Sequence, residues 1–252
     1  MTTRYFLLLS YKGTSYYGWQ IQPGSITVQK TITDALNTIL QEKIEVTGAG
    51  RTDTGVHASY YVAHFESNIN DLETKKNIIL RLNKYLPRDI AVDRIVRVKP
   101  DAHARFNAIS RTYKYYINRK KDPFTESLSW FIFGDINVDM MNEMCIALLE
   151  YSDFTSFARL HSDAKTNICK IYSASWTEQG SKLIFTIKAD RFLRNMVRSI
   201  VGTMIEAGRG KLTIDEFREI ILAKDRCRAG KSAPAKGLFL EDIEYPPEIF
   251  EM

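Results

Sequence analysis

Over residues 5–98 the spacing of apolar positions switches repeatedly between the two-residue repeat of a strand and the 3.6-residue repeat of a helix. That alternation restricts the folds open to the chain more than any other feature. Residues 5–11 form an apolar, aromatic run that stops at Lys12-Gly13-Thr14, as a strand stops at a turn. Val28, Ile32, Ala35, Leu36 and Ile39 recur at helical spacing and predict an amphipathic helix over 27–41. Residues 43–46 and 60–65 read as strands. Leu72, Ile79, Leu82 and Leu86 predict a second helix, capped by Asn70 and closed by Pro87, and 90–98 predicts another strand. The order strand-helix-strand-strand-helix-strand is that of a ferredoxin-like α+β unit.

The stretch Asp101-Ala102-His103-Ala104-Arg105-Phe106 breaks this pattern and begins a second half, so the expected domains are 1–102 and 103–252. Residues 111–116 read as a strand with Arg111, Tyr113 and Tyr115 on one face and Lys114 and Tyr116 on the other. Such a basic, aromatic ribbon suits stacking on an unpaired base, and equally a tyrosine-rich core strand. A helix is expected over 138–149 and strands over 168–176 and 183–190. Then Phe192, Leu193, Met196, Val197, Ile200, Val201, Met204 and Ile205 repeat as adjacent pairs every four residues, a helix with one firmly buried face. Arg191, Arg194 and Arg198 would form a stripe on another face, and Gly208 would end the helix. Thr213 and Glu216 make a capping box for a helix through 222, and the loop 224–237 carries five basic residues against Asp225.

Composition narrows the function classes. The chain has 252 residues, 44% of them apolar, with a formal charge of +5 and a pI near 9.0. A polyanionic partner is compatible with this balance. Cys145, Cys169 and Cys227 lack Cys-x-x-Cys spacing and point to a reducing compartment. The four histidines show no ligand spacing. With no signal-peptide pattern and no run near the roughly 20 apolar residues of a membrane span, the sequence predicts a soluble cytoplasmic protein.

The chemistry concentrates in Gly48-Ala49-Gly50-Arg51-Thr52-Asp53-Thr54-Gly55-Val56-His57-Ala58, a loop between two predicted strands. Its three glycines permit positive φ or close backbone approach. Extended backbone before the turn would aim Arg51 and Asp53 to one side and Thr52 and Thr54 to the other. A carboxylate beside a fixed cation stays ionised, as a nucleophile or base requires. Asp-Gly-type turns are also ordinary structural features, and Asp-Thr-Gly is the triplet of aspartic proteases. Here the triplet occurs once, preceded by Arg51 and Thr52 where a protease has an apolar strand.

The stretch Gly-Arg-Thr-Asp-Thr-Gly-Val-His-Ala resembles the catalytic signature of the TruA family of tRNA pseudouridine synthases, with Thr54 where many members have Ala. Four further segments resemble that family's motifs in the same order: 11–20, Arg111-Thr112-Tyr113-Lys114-Tyr115, 192–198 and 233–238. The resemblance implies two related α+β, ferredoxin-like (RNP-like) halves in one extended, mainly antiparallel sheet, with helices on one side and a central cleft. It implies isomerisation of uridines 38, 39 and 40 in the tRNA anticodon arm by a homodimer, without cofactor or metal. It assigns attack on the nucleotide to Asp53, help in flipping it to Arg51, stacking on uracil to Tyr113 and pairing with the catalytic carboxylate to Arg198. By the same resemblance His103, Arg105 and Phe106 contact tRNA, as does Lys165 in the loop 154–166, while Leu238 and Leu240 line the uracil pocket. A tRNA-binding protein or chaperone without catalysis is the alternative.

Overall fold

The computed structural model describes residues 2–159 and 165–251. The chain divides into two compact units, Met1–Ile109 with Leu240–Met252, and Ser110–Phe239. Among the described residues the fold is mixed α/β, with mostly antiparallel strand pairing, and no helix is long and apolar enough to cross a membrane.

In the first unit β1 (Thr3–Tyr11) lies between β4 (Ile90–Arg97) and β3 (His57–Ser67), antiparallel to both. A strand flanked on both edges and covered on both faces needs an unbroken apolar run, and Tyr5 to Leu9 are all buried. The helix α1 (Val28–Leu40) starts at Thr27, whose hydroxyl accepts from the Lys30 amide, and buries Val28, Ile32, Ala35, Leu36 and Leu40. The second helix, α2 (Lys76–Tyr85), starts later than the sequence suggested. Asn70 does not cap it, because Asp71 turns left-handed and Leu72–Thr74 forms a 3-10 turn first; the Asn70 side chain instead accepts from the Thr3 hydroxyl. The strand expected over 43–46 is also absent. In its place the two-residue β2 (Thr47–Gly48) pairs with β3 at His64 and Ala63.

The second unit is built on β5 (Ser110–Asn118), β8 (Lys182–Ala189) and β7 (Ile171–Gln179), antiparallel in that order, with the short β6 (Trp130–Phe131) parallel to β5. The helix α3 (Val138–Leu148) is capped by the Asn137 side chain, and the capping box at Thr213 and Glu216 opens α5 (Ile214–Ala223) as the sequence predicts. Between them α4 (Met196–Gly208) is buried along almost its whole length.

Two features of α4 depart from the sequence reading. It begins at Met196, so Arg191 and Arg194 precede it and no three-arginine stripe exists. Side-chain bonding wins over the helix there: the Asp190 carboxylate accepts from the Lys170 and Arg191 amides, and Asn195 is left-handed at φ 67. At the other end Gly210, at φ +74, takes the left-handed position. Gly208 is the last helical residue and is glycine for space, since a Cβ there would lie 2.7 Å from Ile136 Cγ2 and 3.0 Å from Met141 Sδ. Gly208→Ala is expected to lower the urea-unfolding free energy by about 1–3 kcal/mol, the usual cost of overpacking; an unchanged transition would show that the site relaxes freely.

Candidate active-site elements

The Asp53 loop lies on a bed made by the segment after β1. The Trp19 amide donates to the Thr52 carbonyl at 3.2 Å, and the Tyr11 hydroxyl meets Thr52 Oγ1 at 2.8 Å. Two glycines of that bed permit the approach: a Cβ on Gly13 would lie 1.9 Å from the Val56 carbonyl oxygen, and one on Gly18 2.4 Å from that of Thr52. Tyr11, Tyr16 and Trp19 are buried and support the loop, whereas Tyr17 of the same segment is exposed. On the other side Trp19 stacks on Tyr61 at 4.1 Å, and the Tyr61 hydroxyl donates to the Gly50 carbonyl.

The loop's own glycines divide their roles. Gly48 admits close packing by Trp19 and Tyr61, and Gly55 takes φ +77 in the turn closed by the Val56 amide on the Asp53 carbonyl at 3.1 Å. Gly50 needs neither freedom: its φ is ordinary and a Cβ there would meet nothing within 4 Å. Thr52 is buried while Arg51 is exposed and Asp53 half-buried, as alternation predicts. Thr54 is exposed because the turn has already begun. His57 is fully buried, and its Nδ1 accepts from the Gly13 amide at 2.9 Å, so it braces the loop.

In the second unit Tyr113 is half-buried and meets Phe192 edge-on at 5.1 Å. Its neighbour on the same face, Tyr115, is a core residue that donates to the Pro234 carbonyl at 2.8 Å, and burial pushes its phenol well above the usual range against a weaker opposing effect of Arg198. Arg198 stands in the first turn of α4, where a cation opposes the helix dipole. The position is fixed from both ends, since Arg198 Nε donates to the Ala233 carbonyl at 2.7 Å and the Ala233 amide returns to the Arg198 carbonyl at 2.9 Å. Gly202 lets this loop cross the helix, because a Cβ there would fall 1.8 Å from the Lys231 carbonyl oxygen. A guanidinium held at a helix N-terminus makes a place for an anion, carboxylate or phosphate.

The remaining predicted residues fall into distinct settings. Phe106 is 74% exposed with the Arg105 guanidinium over its ring at 5.5 Å. His103 lies between Phe106 and His64, at ring separations of 4.2 and 4.5 Å. Lys165 is exposed, whereas residues 160–164 of the same expected tRNA-contacting loop lie outside the described residues. Leu238 and Leu240 are buried in β9 (Leu238–Glu244). In the basic loop Lys224 pairs with Asp153 at 3.0 Å, Arg228 with Glu219 at 3.4 Å and Lys236 with Glu126. Such surface pairs are worth about 0–1 kcal/mol.

Sequence reasoning missed Tyr61 and His64, which carry no local signal in an ordinary strand pattern. His64 Nδ1 accepts from the Ala104 amide at 3.2 Å and so holds the segment that presents Arg105 and Phe106. Burial, then the neighbouring His103 and Arg4, push His64 down from 6.5 to about 4, with Glu66 opposing. Between those values the unfolded chain binds a proton that the folded chain does not, so this contribution is complete above pH 6.5 and is lost as pH falls toward about 4. His64→Gln is expected to show a shallower acid loss of unfolding free energy over that window than the parent; parallel curves would contradict the assignment.

A family model described as tRNA pseudouridine synthase matches residues 8–107 and 144–246. The chain is 55% identical over 249 residues to tRNA pseudouridine synthase A of Bacteroides fragilis, with 98% of each chain covered. It is 50% identical over 249 residues to the protein of that name from Porphyromonas gingivalis, covering 98% of this chain and 99% of that one. For the Clostridium acetobutylicum protein of the same name the identity is 41% over 241 residues, covering 95% and 98%. With a model matched in both halves and relatives aligned nearly end to end, this chain belongs to the tRNA pseudouridine synthase family.

Proposed function

We propose that this enzyme, which isomerises uridine to pseudouridine in tRNA, acts on uridines 38, 39 and 40 of the anticodon arm through Asp53. The observation that carries the reading is the Asp53 loop itself, pinned by backbone and hydroxyl bonds on both sides while Arg51 stays exposed. A loop fixed in this way suits a carboxylate that must meet one sugar atom in one orientation.

The target nucleotide leaves its stack, and Arg51 holds the vacated space, offsetting an unstacking cost of roughly a few kcal/mol. Asp53 acts on the ribose, either bonding C1′ or taking the 2′ proton, as the N1–C1′ bond breaks. The freed uracil turns and C5 bonds C1′ as the Asp53–C1′ bond breaks or Asp53 returns the 2′ proton; the C5 proton is released and N1 gains one. Atoms and electrons balance without an oxidant or reductant, and the reading includes no cofactor or metal. Tyr113 stacks on the uracil, Leu238 and Leu240 wall its pocket, and Arg198 pairs with the Asp53 carboxylate. In this reading each half is ferredoxin-like, the first carrying the catalytic Asp and the second the Tyr and Arg.

His103, Arg105, Phe106 and Lys165 hold the tRNA, which a cytoplasmic homodimer grips across both subunits. An exposed aromatic ring under a guanidinium suits a base or ribose face, and the basic loop 224–237 suits the phosphates. Phe106→Ala is expected to weaken tRNA binding by roughly 1–3 kcal/mol, the worth of one stacked base; unchanged affinity would remove Phe106 from the interface.

The deciding experiment is Asp53→Asn incubated with tRNA, followed by mapping of carbodiimide-resistant adducts. The expected outcome is no new pseudouridine with tRNA affinity largely kept. Modification at the parent's rate would overturn the role of Asp53, and a parent protein that binds tRNA without modifying it would favour the chaperone.

A further inference from the structure

Two tyrosine hydroxyls bond the Asp53 loop at the residues flanking Arg51. Tyr61 Oη donates to the Gly50 carbonyl and receives the Gly50 amide at 3.4 Å. Tyr11 Oη shares a buried hydrogen bond of 2.8 Å with Thr52 Oγ1. The rings meet edge-on at 5.6 Å, and both pack against Trp19, whose amide holds the Thr52 carbonyl. Tyr11 and Tyr61 sit on β1 and β3, with Leu9 opposite Tyr61 and Tyr11 opposite Ala58, so the clamp is anchored in the sheet.

Packing alone does not explain the hydroxyls. Phenylalanine would fill the same volume, yet each ring carries a polar group into the interior and directs it at the loop. The backbone on either side of Arg51 is thereby fixed, and the Asp53 backbone follows directly from Thr52.

We infer that Tyr11 and Tyr61 are positioning residues for the isomerisation, setting the backbone that carries Arg51 and Asp53 through hydroxyl bonds to Thr52 and Gly50. This rests on Asp53 being the acting carboxylate. Neither tyrosine needs to touch the nucleotide. Displacement of a reacting group by about 1 Å costs on the order of a hundredfold in rate, so loss of one clamp should appear in kcat and not in KM.

The experiment is a coupled set of variants in the full-length enzyme, with kcat and KM measured for pseudouridine formation in tRNA and Tm recorded for each. Tyr11→Phe and Thr52→Val each remove one end of the same bond, and each is expected to lower kcat about tenfold or more with KM within about twofold. The double variant should lose no more than either single one, since both break one contact. Thr52→Ser, which keeps the hydroxyl, should recover most of the rate lost in Thr52→Val, and Tyr61→Phe should show the same kcat-weighted loss. A lower Tm with kcat unchanged in Tyr11→Phe would reduce the tyrosine to a core residue and overturn the inference. Losses that multiply in the double variant would overturn it too. Asp53→Asn in the same assay separates the two readings. If it stays active, the role of Asp53 fails; if it is inactive while Tyr11→Phe and Tyr61→Phe turn over normally, only the clamp fails.

Discussion

The hydrogen bond from the Trp19 amide to the Thr52 carbonyl joins the Asp53 loop to the segment after β1 that gives the loop its shape. A loop of eleven residues rich in glycine has no intrinsic reason to hold one shape, and each fixed residue costs about 1–2 kcal/mol of backbone entropy. Here the entropy is offset by burial of Tyr11, Trp19 and Tyr61 beneath the loop, and by hydroxyl bonds to Thr52, which is buried, and to Gly50. Gly13 and Gly18 are part of the same constraint, since a side chain at either position would push the two segments apart.

The second unit meets an analogous demand differently. Arg198 lies where the helix dipole disfavours it, and the reciprocal bonds with Ala233 hold it in place. That arrangement depends on Gly202, which admits the Lys231 carbonyl against the helix, and on Thr203, whose hydroxyl accepts from the Gly230 amide at 2.9 Å. Local preference yields at this point to the bonds that the loop makes with the helix. The rest of α4 is a conventional buried helix, with Trp176 donating its indole N–H to Met204 Sδ at 3.3 Å.

Much of this was legible in the sequence, and the failures have specific causes. Elements with strong periodicity, such as α1, α3 and the capping box of α5, appear where apolar spacing places them. The apolar pattern runs on through Phe192 and Leu193 past the true start of α4, while the groups that stop the helix, Asp190 and the left-handed Asn195, act through bonds to Lys170, Arg191 and Ser232. Asn70 was a reasonable cap by composition, but Thr3 claims its side chain from another strand. The loop residues Arg51 and Asp53 stood out because an acid and a guanidinium among glycines are unusual together. Tyr61 and His64 did not, since their partners are 11 and 40 residues away in sequence and no spacing rule joins them. The Asp53 loop was found by its chemistry, whereas its supports became visible only in three dimensions.

If the loop is a built platform, its amide hydrogens should behave as part of the folded core. Hydrogen exchange followed by NMR, residue by residue, reads this directly at Trp19, Ala49 and Val56, whose amides bond the carbonyls of Thr52, Val62 and Asp53. The account predicts that these three exchange as slowly as central amides of β1 and β3. Rapid exchange at Trp19 and Val56 while β1 and β3 stay protected would show a loop that opens independently, and would contradict a pre-set Asp53.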